Sequence, residues 1–437
     1  MSDYMFMLES HLSGEQSSAL TKIRDAAEQE NLSVFLTGGA MRDMMGGFAI
    51  RDLDFTLEGP AIKFGKAVSH KTKAEVLSVD EHRRAVELLF PGNVTASISM
   101  ARREKYQKLG TKPQIQPATI HEDLAGRDFT VNAIALSLGK ASRGLLLDPT
   151  NGLGDLSRKE LRAVTNYSFY DDPSRIFRVM RLRTRLGFTI EERTLAQYHN
   201  VREAQLESKL TPSVLQHEIR EIALDPLAGD ILKALEEENL LAVISPSLSG
   251  PKLNLPRFQK LQKARQGLPF GVDIGADYYT LFLCLLLEKL TSKERSEFAK
   301  ALTLRKSEMD AALKLESKAA KLEKGLATAK LQRPSSLYNL LSKVPGEVLV
   351  YLLISSGHRL VLDRVKNYFQ KYLPAAQEIK EKDVIEMGAR PGTPKFAKLQ
   401  QQMIAARLDA RPKKVVVPEP PPLPPPGPGR RSASFGR

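Results

Sequence analysis

The spacing of apolar and polar positions divides the chain into two regimes. Over residues 17–30, Leu20, Ile23 and Ala26–Ala27 recur at helical intervals and predict an amphipathic helix. SVFLTGG (33–39) follows as a short apolar strand ending in two glycines. AMRDMMGG then reads as a short helix stopped at Gly46–Gly47. IRDLDFTLE (50–58) alternates with a period of two and predicts a strand, as do AEVLSV (74–79), AVELLF (85–90) and NVTASIS (93–99). Residues 100–118 are polar and read as a mobile loop. TIHEDLAGRDFTVNAIALSL (119–138) predicts two short helices, the second starting near Thr130, and LLLDPTNGLGDLSRKELRAV predicts strand, turn and strand. From about Asp171 the strand signal nearly vanishes. Helical periodicity then runs to about residue 408, punctuated by prolines such as Pro212, Pro246 and Pro334. The predicted architecture is α+β: a small α/β head of about 165 residues followed by an all-α remainder.

Composition narrows the setting. The 437 residues carry 65 Lys+Arg against 51 Asp+Glu, a net charge of +14 that permits a polyanionic partner. The longest apolar runs, Leu281–Leu287 and Val348–Ile354, fall far short of the roughly 20 residues that span a bilayer, so they predict buried helical core and no membrane partner. The N-terminus lacks a basic segment followed by an apolar one, which argues against a secretory leader. The single cysteine, Cys284, excludes an intramolecular disulfide and reads as a packed small hydrophobe, and a cytoplasmic setting is expected. Residues 411–437 hold nine of the 26 prolines and six basic residues against one acid, Glu419, and predict a disordered, basic, polyproline-like tail.

Three motifs carry candidate chemistry. In the first, Gly38-Gly39-Ala40-Met41-Arg42-Asp43 precedes Arg51-Asp52-Leu53-Asp54-Phe55. The strand pleat puts Asp52 and Asp54 on one face, about 7 Å apart along the backbone, where two carboxylates can share a hard cation such as Mg²⁺. Gly38 and Gly39 let amide groups approach a phosphate, and Arg42, one turn into the next helix, can reach a triphosphate oxygen. Each part alone also reads as an ordinary solvated strand face or turn; in this order they suit phosphoryl or nucleotidyl transfer. The second motif is Arg127-Asp128-Phe129-Thr130-Val131-Asn132. Thr130 is a plausible N-cap, with Arg127 placed for a phosphate and Asn132 for a ribose hydroxyl; the alternative is a capped helix with surface charge. The third is Asp171-Asp172-Pro173-Ser174-Arg175, continuing to Arg178 and Arg181. Pro173 suits an early helical position, and Asp172, Arg175, Arg178 and Arg181 recur every three residues. A carboxylate accepts from an exocyclic amino group while a guanidinium donates to the neighbouring ring acceptor, so Asp172 with Arg175 would favour adenine and cytosine over uracil and guanine. The alternative is a helix with an N-terminal acid and a solvated basic stripe.

With GGAMRD (38–43), RDLDF (51–55), ARREKY (101–106), EDLAGRDFTVNA (122–133), DPTNGLGDL (148–156), DDPSRIFRVMRLRTRLGF (171–188) and KDVIEMGARPGTPKFAKLQQQMIAARLDA (382–410), the chain resembles the class II tRNA nucleotidyltransferases (CCA-adding enzymes) and bacterial poly(A) polymerases, within the polymerase-β-like nucleotidyltransferases. The resemblance implies a nucleotidyltransferase head over 1–165, a helical, base-reading neck over 166–265, an RNA-binding helical body over 266–380 and a helical tail over 381–410, ahead of the tail segment 411–437. It implies Asp52 and Asp54 as catalytic ligands of Mg²⁺. Gly38, Gly39, Arg42, Arg127 and Asn132 would hold triphosphate and sugar. Asp172 and Arg175 would read the base, with Arg178 and Arg181 in support. The activity implied is template-independent addition of CMP and AMP from CTP and ATP to the tRNA 3′ end; addition of A alone, or poly(A) tailing, uses the same parts. Two positions depart from the family pattern: Gly126 stands where an arginine usually precedes RDFT, and Asp171 stands where glutamate is usual. A non-catalytic RNA-binding scaffold would carry degenerate carboxylates, and both are intact. A small-molecule nucleotidyltransferase would not need the long basic helical remainder.

Overall fold

The computed structural model describes residues 3–107, 113–269, 274–328 and 333–410. Residues 108–112 and the proline-rich segment 411–437 lie outside the described residues. The chain forms two compact units, Met1–Ala327 with Val344–Lys366, and Thr328–Lys343 with Asn367–Arg437.

The first unit opens with a seven-stranded sheet. Its strands are β1 (Ser33–Thr37), β2 (Leu53–Glu58), β3 (Glu75–Asp80), β4 (Ala85–Phe90), β5 (Val94–Met100), β8 (Ala135–Ser137) and β9 (Leu146–Leu147), in the order β3-β4-β5-β2-β1-β8-β9. β2 and β5 run parallel, pairing Asp54 with Ser97, and the other neighbours run antiparallel. Alternation gives the two faces different chemistry. Leu53, Phe55 and Leu57 of β2 and Ala96 and Ile98 of β5 are buried, and the helices Gly14–Gln29 and Ala61–Thr72 pack on these central strands. The opposite face presents Asp54 and Thr56 of β2 beside Thr95, Ser97 and Ser99 of β5, and it lines a cleft.

Four local expectations are corrected. β2 begins at Leu53, so Asp52 stands just ahead of the ladder. Part of the polar stretch 100–118 is a hairpin, β6 (Arg102–Lys105) against β7 (Gln114–Pro117). No helix starts at Thr130: a single 3-10 turn, Thr130–Asn132, leads into β8, and the Thr130 hydroxyl donates to Asp155 (2.6 Å) instead of capping. The turn after β9 is a helix, Gly152–Arg158, whose first amides donate to the Asp148 carboxylate (Gly152 N, 2.6 Å; Leu153 N, 2.9 Å).

Helices follow. The helix Arg175–Leu186 ends at Gly187 in the left-handed region (φ 67°), a conformation glycine adopts without strain. It begins two residues beyond Pro173, so Asp172 precedes the helix in extended backbone. The apolar runs are buried core as expected, in Tyr278–Leu287 and Gly346–Ser355, packed with Lys306–Leu326. Cys284 is buried among them, which pushes its thiol up to about 12. No single helix among the described residues is long and apolar enough to cross a membrane.

The second unit is helical. Its helix Pro394–Asp409 packs Phe396 on Val384 and Ala389, and Asp409 accepts from the Ser335 hydroxyl (2.6 Å) and amide (3.0 Å) of helix Pro334–Leu341.

Candidate active site

The cleft over the polar sheet face has a volume of about 920 Å³. All eleven residues singled out by the sequence line it: Gly38, Gly39, Arg42, Asp52, Asp54, Arg127, Asn132, Asp172, Arg175, Arg178 and Arg181.

One end is built by the β1 turn and the β2–β5 pair. Gly38 takes φ +63°, and a Cβ there would meet the Arg127 guanidinium and Asp54 Oδ2, both at 3.4 Å. The turn therefore admits glycine best. It aims the Gly39 amide at Asp54 Oδ2 (3.2 Å). Asp54 Oδ1 accepts from the Ser97 hydroxyl (2.9 Å), and Asp52 Oδ1 accepts from the Thr95 hydroxyl. Burial raises the Asp54 carboxyl above the ordinary carboxylate range; the Ser97 hydrogen bond opposes this and the charge of Asp52 adds to it. Two like-charged carboxylates whose hydrogen-bond donors are neutral form an oxygen-only donor set that fits a hard divalent cation, with the charges of Arg127 and Arg42 felt at Asp54 through space. Among the described residues no third acid, histidine or cysteine joins a metal-binding group. The remaining positions suit phosphate oxygens and water, as Mg²⁺ prefers.

The guanidinia between the two ends are held in place. Arg42 is buried. Its Nε donates to Asp43 Oδ1 (2.9 Å) and its Nη1 to Asn132 Oδ1 (2.7 Å). Arg127 donates to Asp123 Oδ1 (2.9 Å), Thr56 Oγ1 (2.9 Å) and the Asn132 carbonyl (3.0 Å). Asp43 gives its other oxygen to Arg185 (2.6 Å), 142 residues away on the helix Arg175–Leu186. Burial, then the charge of Arg42, lowers the Arg185 guanidinium to about 10.

The other end is the entry to that helix. Ser174 donates to Asp172 Oδ1 through both its hydroxyl (2.6 Å) and its amide (3.1 Å), while Asp172 Oδ2 faces Arg175 Nε at 3.8 Å. Arg175 Nη1 donates to the Ser168 hydroxyl (2.6 Å). Arg178 donates to Asp128 Oδ2 (2.9 Å) and Arg181 to Glu221 Oε2 (2.7 Å); both guanidinia also approach buried Glu218, at 3.7 and 3.5 Å. Burial alone would raise Asp128, but Arg178 and Arg175 hold it down to about 2.

The sequence reading missed this supporting layer. Thr95 and Ser97 had a signal, the period-two hydroxyls in NVTASIS. Glu218 and Glu221 are placed beside Arg178 and Arg181 only by packing of the helix Pro212–Leu224, which no local pattern reports.

A family model described as the poly A polymerase head domain matches residues 34–162. An A-adding tRNA nucleotidyltransferase of Aquifex aeolicus is 29% identical over 348 residues, spanning 78% of this chain and 40% of that protein. A CC-adding tRNA nucleotidyltransferase of Deinococcus radiodurans is 34% identical over 233 residues, spanning 51% of this chain and 60% of that protein. Residues 34–162 thus match the head-domain model, and the chain is similar to tRNA nucleotidyltransferases. It spans about half the length of the curated relatives it matches. The apo form II of a CCA-adding enzyme shares the fold across 94% of this chain and 96% of its own, with a TM-score of 0.55 at 22% identity. Against the family pattern, Gly126 sits at the end of helix Ile120–Ala125. A Cβ there would lie 3.5 Å or more from the neighbouring carbonyls, so the missing arginine reflects no steric bar. Burial raises Asp171, the second departure.

Proposed function

We propose that the chain is a template-independent nucleotidyltransferase that adds CMP and AMP, from CTP and ATP, to the 3′ end of tRNA. The observation that carries this reading is the convergence on one cleft of a carboxylate pair, a glycine turn, fixed guanidinia and an Asp–Arg pair suited to read a base edge. In the reaction the RNA 3′ hydroxyl gives up its proton to solvent, its oxygen forms a bond to the α-phosphorus, the bond from that phosphorus to the oxygen bridging to the β-phosphate breaks, and pyrophosphate leaves. Asp52 and Asp54 would hold Mg²⁺, which supplies charge stabilisation to the transferring phosphoryl group. The Gly39 amide, Arg42 and Arg127 bind the triphosphate, and their prior anchoring to Asp43, Asn132 and Asp123 keeps them oriented before it arrives. Asn132, fixed by Arg42 and Asp128, is placed for the sugar. Asp172 keeps Oδ2 free of Ser174 and can accept from the amino group of cytosine or adenine while Arg175 donates beside it. The carbonyl that uracil or guanine presents there would meet an acceptor and be rejected.

A narrower product, A added to an existing CC end, is favoured by the A-adding activity in the names of three relatives. Incorporation of labelled CTP and ATP on tRNA lacking CCA, ending in C or ending in CC decides between them. CMP incorporation on the first two substrates is the expected result. AMP incorporation on the third alone would limit the activity to A addition, and no incorporation on any would overturn the proposal.

A further inference from the structure

β5 lies beside β2 in parallel register, with Asp54 opposite Ser97. Two residues back, the same register sets Thr95 beside Asp52. Thr95 and Ser97 are therefore spaced i, i+2 on the cleft face of one strand, and each donates its hydroxyl to one of two carboxylates with the same spacing on the next. In both contacts the oxygen engaged is Oδ1. Asp52 lines the cleft. Asp54 Oδ2 has a single amide donor, Gly39. A carboxylate has about four lone-pair sites, so one hydroxyl apiece orients the group without exhausting it. The neighbouring groups of β5, Ala96 and Ile98, point into the apolar layer and keep the strand from sliding, because a one-residue slip would exchange the faces.

We infer that Thr95 and Ser97 are positioning residues that fix the Asp52 and Asp54 carboxylates in the orientation a divalent cation requires. This deepens the proposed function and rests on its assignment of the carboxylate pair. Neutral hydroxyls do this without cancelling the negative charge. A lysine or arginine in the same place would orient the acids equally well but compete with the cation. At the other end of the cleft Asp128 and Glu221 are instead paired with guanidinia.

The test compares Thr95→Val and Ser97→Ala, which remove the hydroxyls, with Thr95→Ser and Ser97→Thr, which keep them. The readout is Mn²⁺ affinity of the full chain without nucleotide, by electron paramagnetic resonance titration, alongside the melting temperature. Removal of either hydroxyl is expected to weaken Mn²⁺ binding about ten- to a hundredfold, the range for groups that orient metal ligands. The conservative variants should stay within about threefold of wild type, with melting temperatures near wild type. Asp54→Asn serves as the control. If wild type and Asp54→Asn bind Mn²⁺ alike, the assignment of the carboxylate pair fails. If Asp54→Asn loses binding while Thr95→Val and Ser97→Ala keep it, the positioning role alone is overturned.

Discussion

The two ends of the cleft treat charge in opposite ways. At the β2–β5 end, Asp52 and Asp54 are supported by hydroxyls and one amide, and burial together with their mutual repulsion raises Asp54. At the helix Arg175–Leu186, two guanidinia are each paired with an acid, Arg178 with Asp128 and Arg181 with Glu221, and Glu218 lies near both. One end keeps its carboxylates out of ion pairs, with Arg127 and Arg42 acting on Asp54 only through space, and at the other Arg178 and Arg181 are paired within the protein. The first arrangement suits the chemical step, which needs an electrostatic response at the transferring phosphorus. The second suits recognition, which needs fixed donors and acceptors that do not relax when the ligand changes.

The largest effect should come from Asp54→Asn. Loss of one carboxylate from the pair is expected to lower kcat for CMP transfer by at least about a thousandfold. Because the change removes like-charge repulsion, the melting temperature should not fall. A variant that lost both activity and stability would show that the pair is structural, like its counterparts at the other end.

Next in size is the reverse case. Asp128→Ala removes the acid that accepts from Arg178 and leaves only Glu218 at 3.7 Å, and it should destabilise the fold by up to about 3–5 kcal/mol, measured by urea denaturation at pH 7. The same contact sets an acid dependence. Asp128 is held near 2, below its ordinary 3.8, so it binds protons more readily when unfolded. Its contribution is full above about pH 4 and is lost as pH falls toward 2, about 2 kcal/mol in all. The stability gap between wild type and Asp128→Asn should narrow over that interval. A constant gap would remove Arg178–Asp128 as the cause.

A smaller effect bears on selection. Asp172→Ala should reduce the ratio of kcat/KM for CTP over UTP by about 1–3 kcal/mol, the value of a bidentate base contact. Ser174→Ala should move the same ratio in the same direction by about 1 kcal/mol, since it removes one hydrogen bond to Oδ1. An unchanged ratio with a lowered melting temperature in both would reduce the pair to a helix-entry cap.

The alternating strands were legible because one face of the sheet is apolar and the other polar, the pattern that fixes register. β8 was not legible. AIALSL is buried on both faces and has no alternation, so it reads as readily for helix. The hairpin β6–β7 pairs only with itself and shows no apolar stripe. Helix Gly152–Arg158 contains Gly152 and Gly154 after a left-handed Asn151 and reads as a turn; the Asp148 carboxylate that starts it is visible only in space. In the site, motif spacing was enough to find eleven of the residues that line the cleft. It could not find Glu218 or Ser168, whose role depends on which distant side chain they meet.

The Asp43 carboxylate has a practical consequence for anyone dissecting the chain. It is almost wholly buried, and its two oxygens serve Arg42 on one side and Arg185 on the other. A fragment cut after residue 162, the end of the head-domain match, would leave that carboxylate with half its neutralisation and a hole where Arg185 stood. Chimaeras that exchange the helix Arg175–Leu186 must carry an arginine at the Arg185 position, or alter Asp43 with it. The β2–β5 sheet and the helix Arg175–Leu186 are therefore poor interchangeable parts: a graft that ignores this one ion pair would loosen Arg42 before it disturbed the entry to the helix.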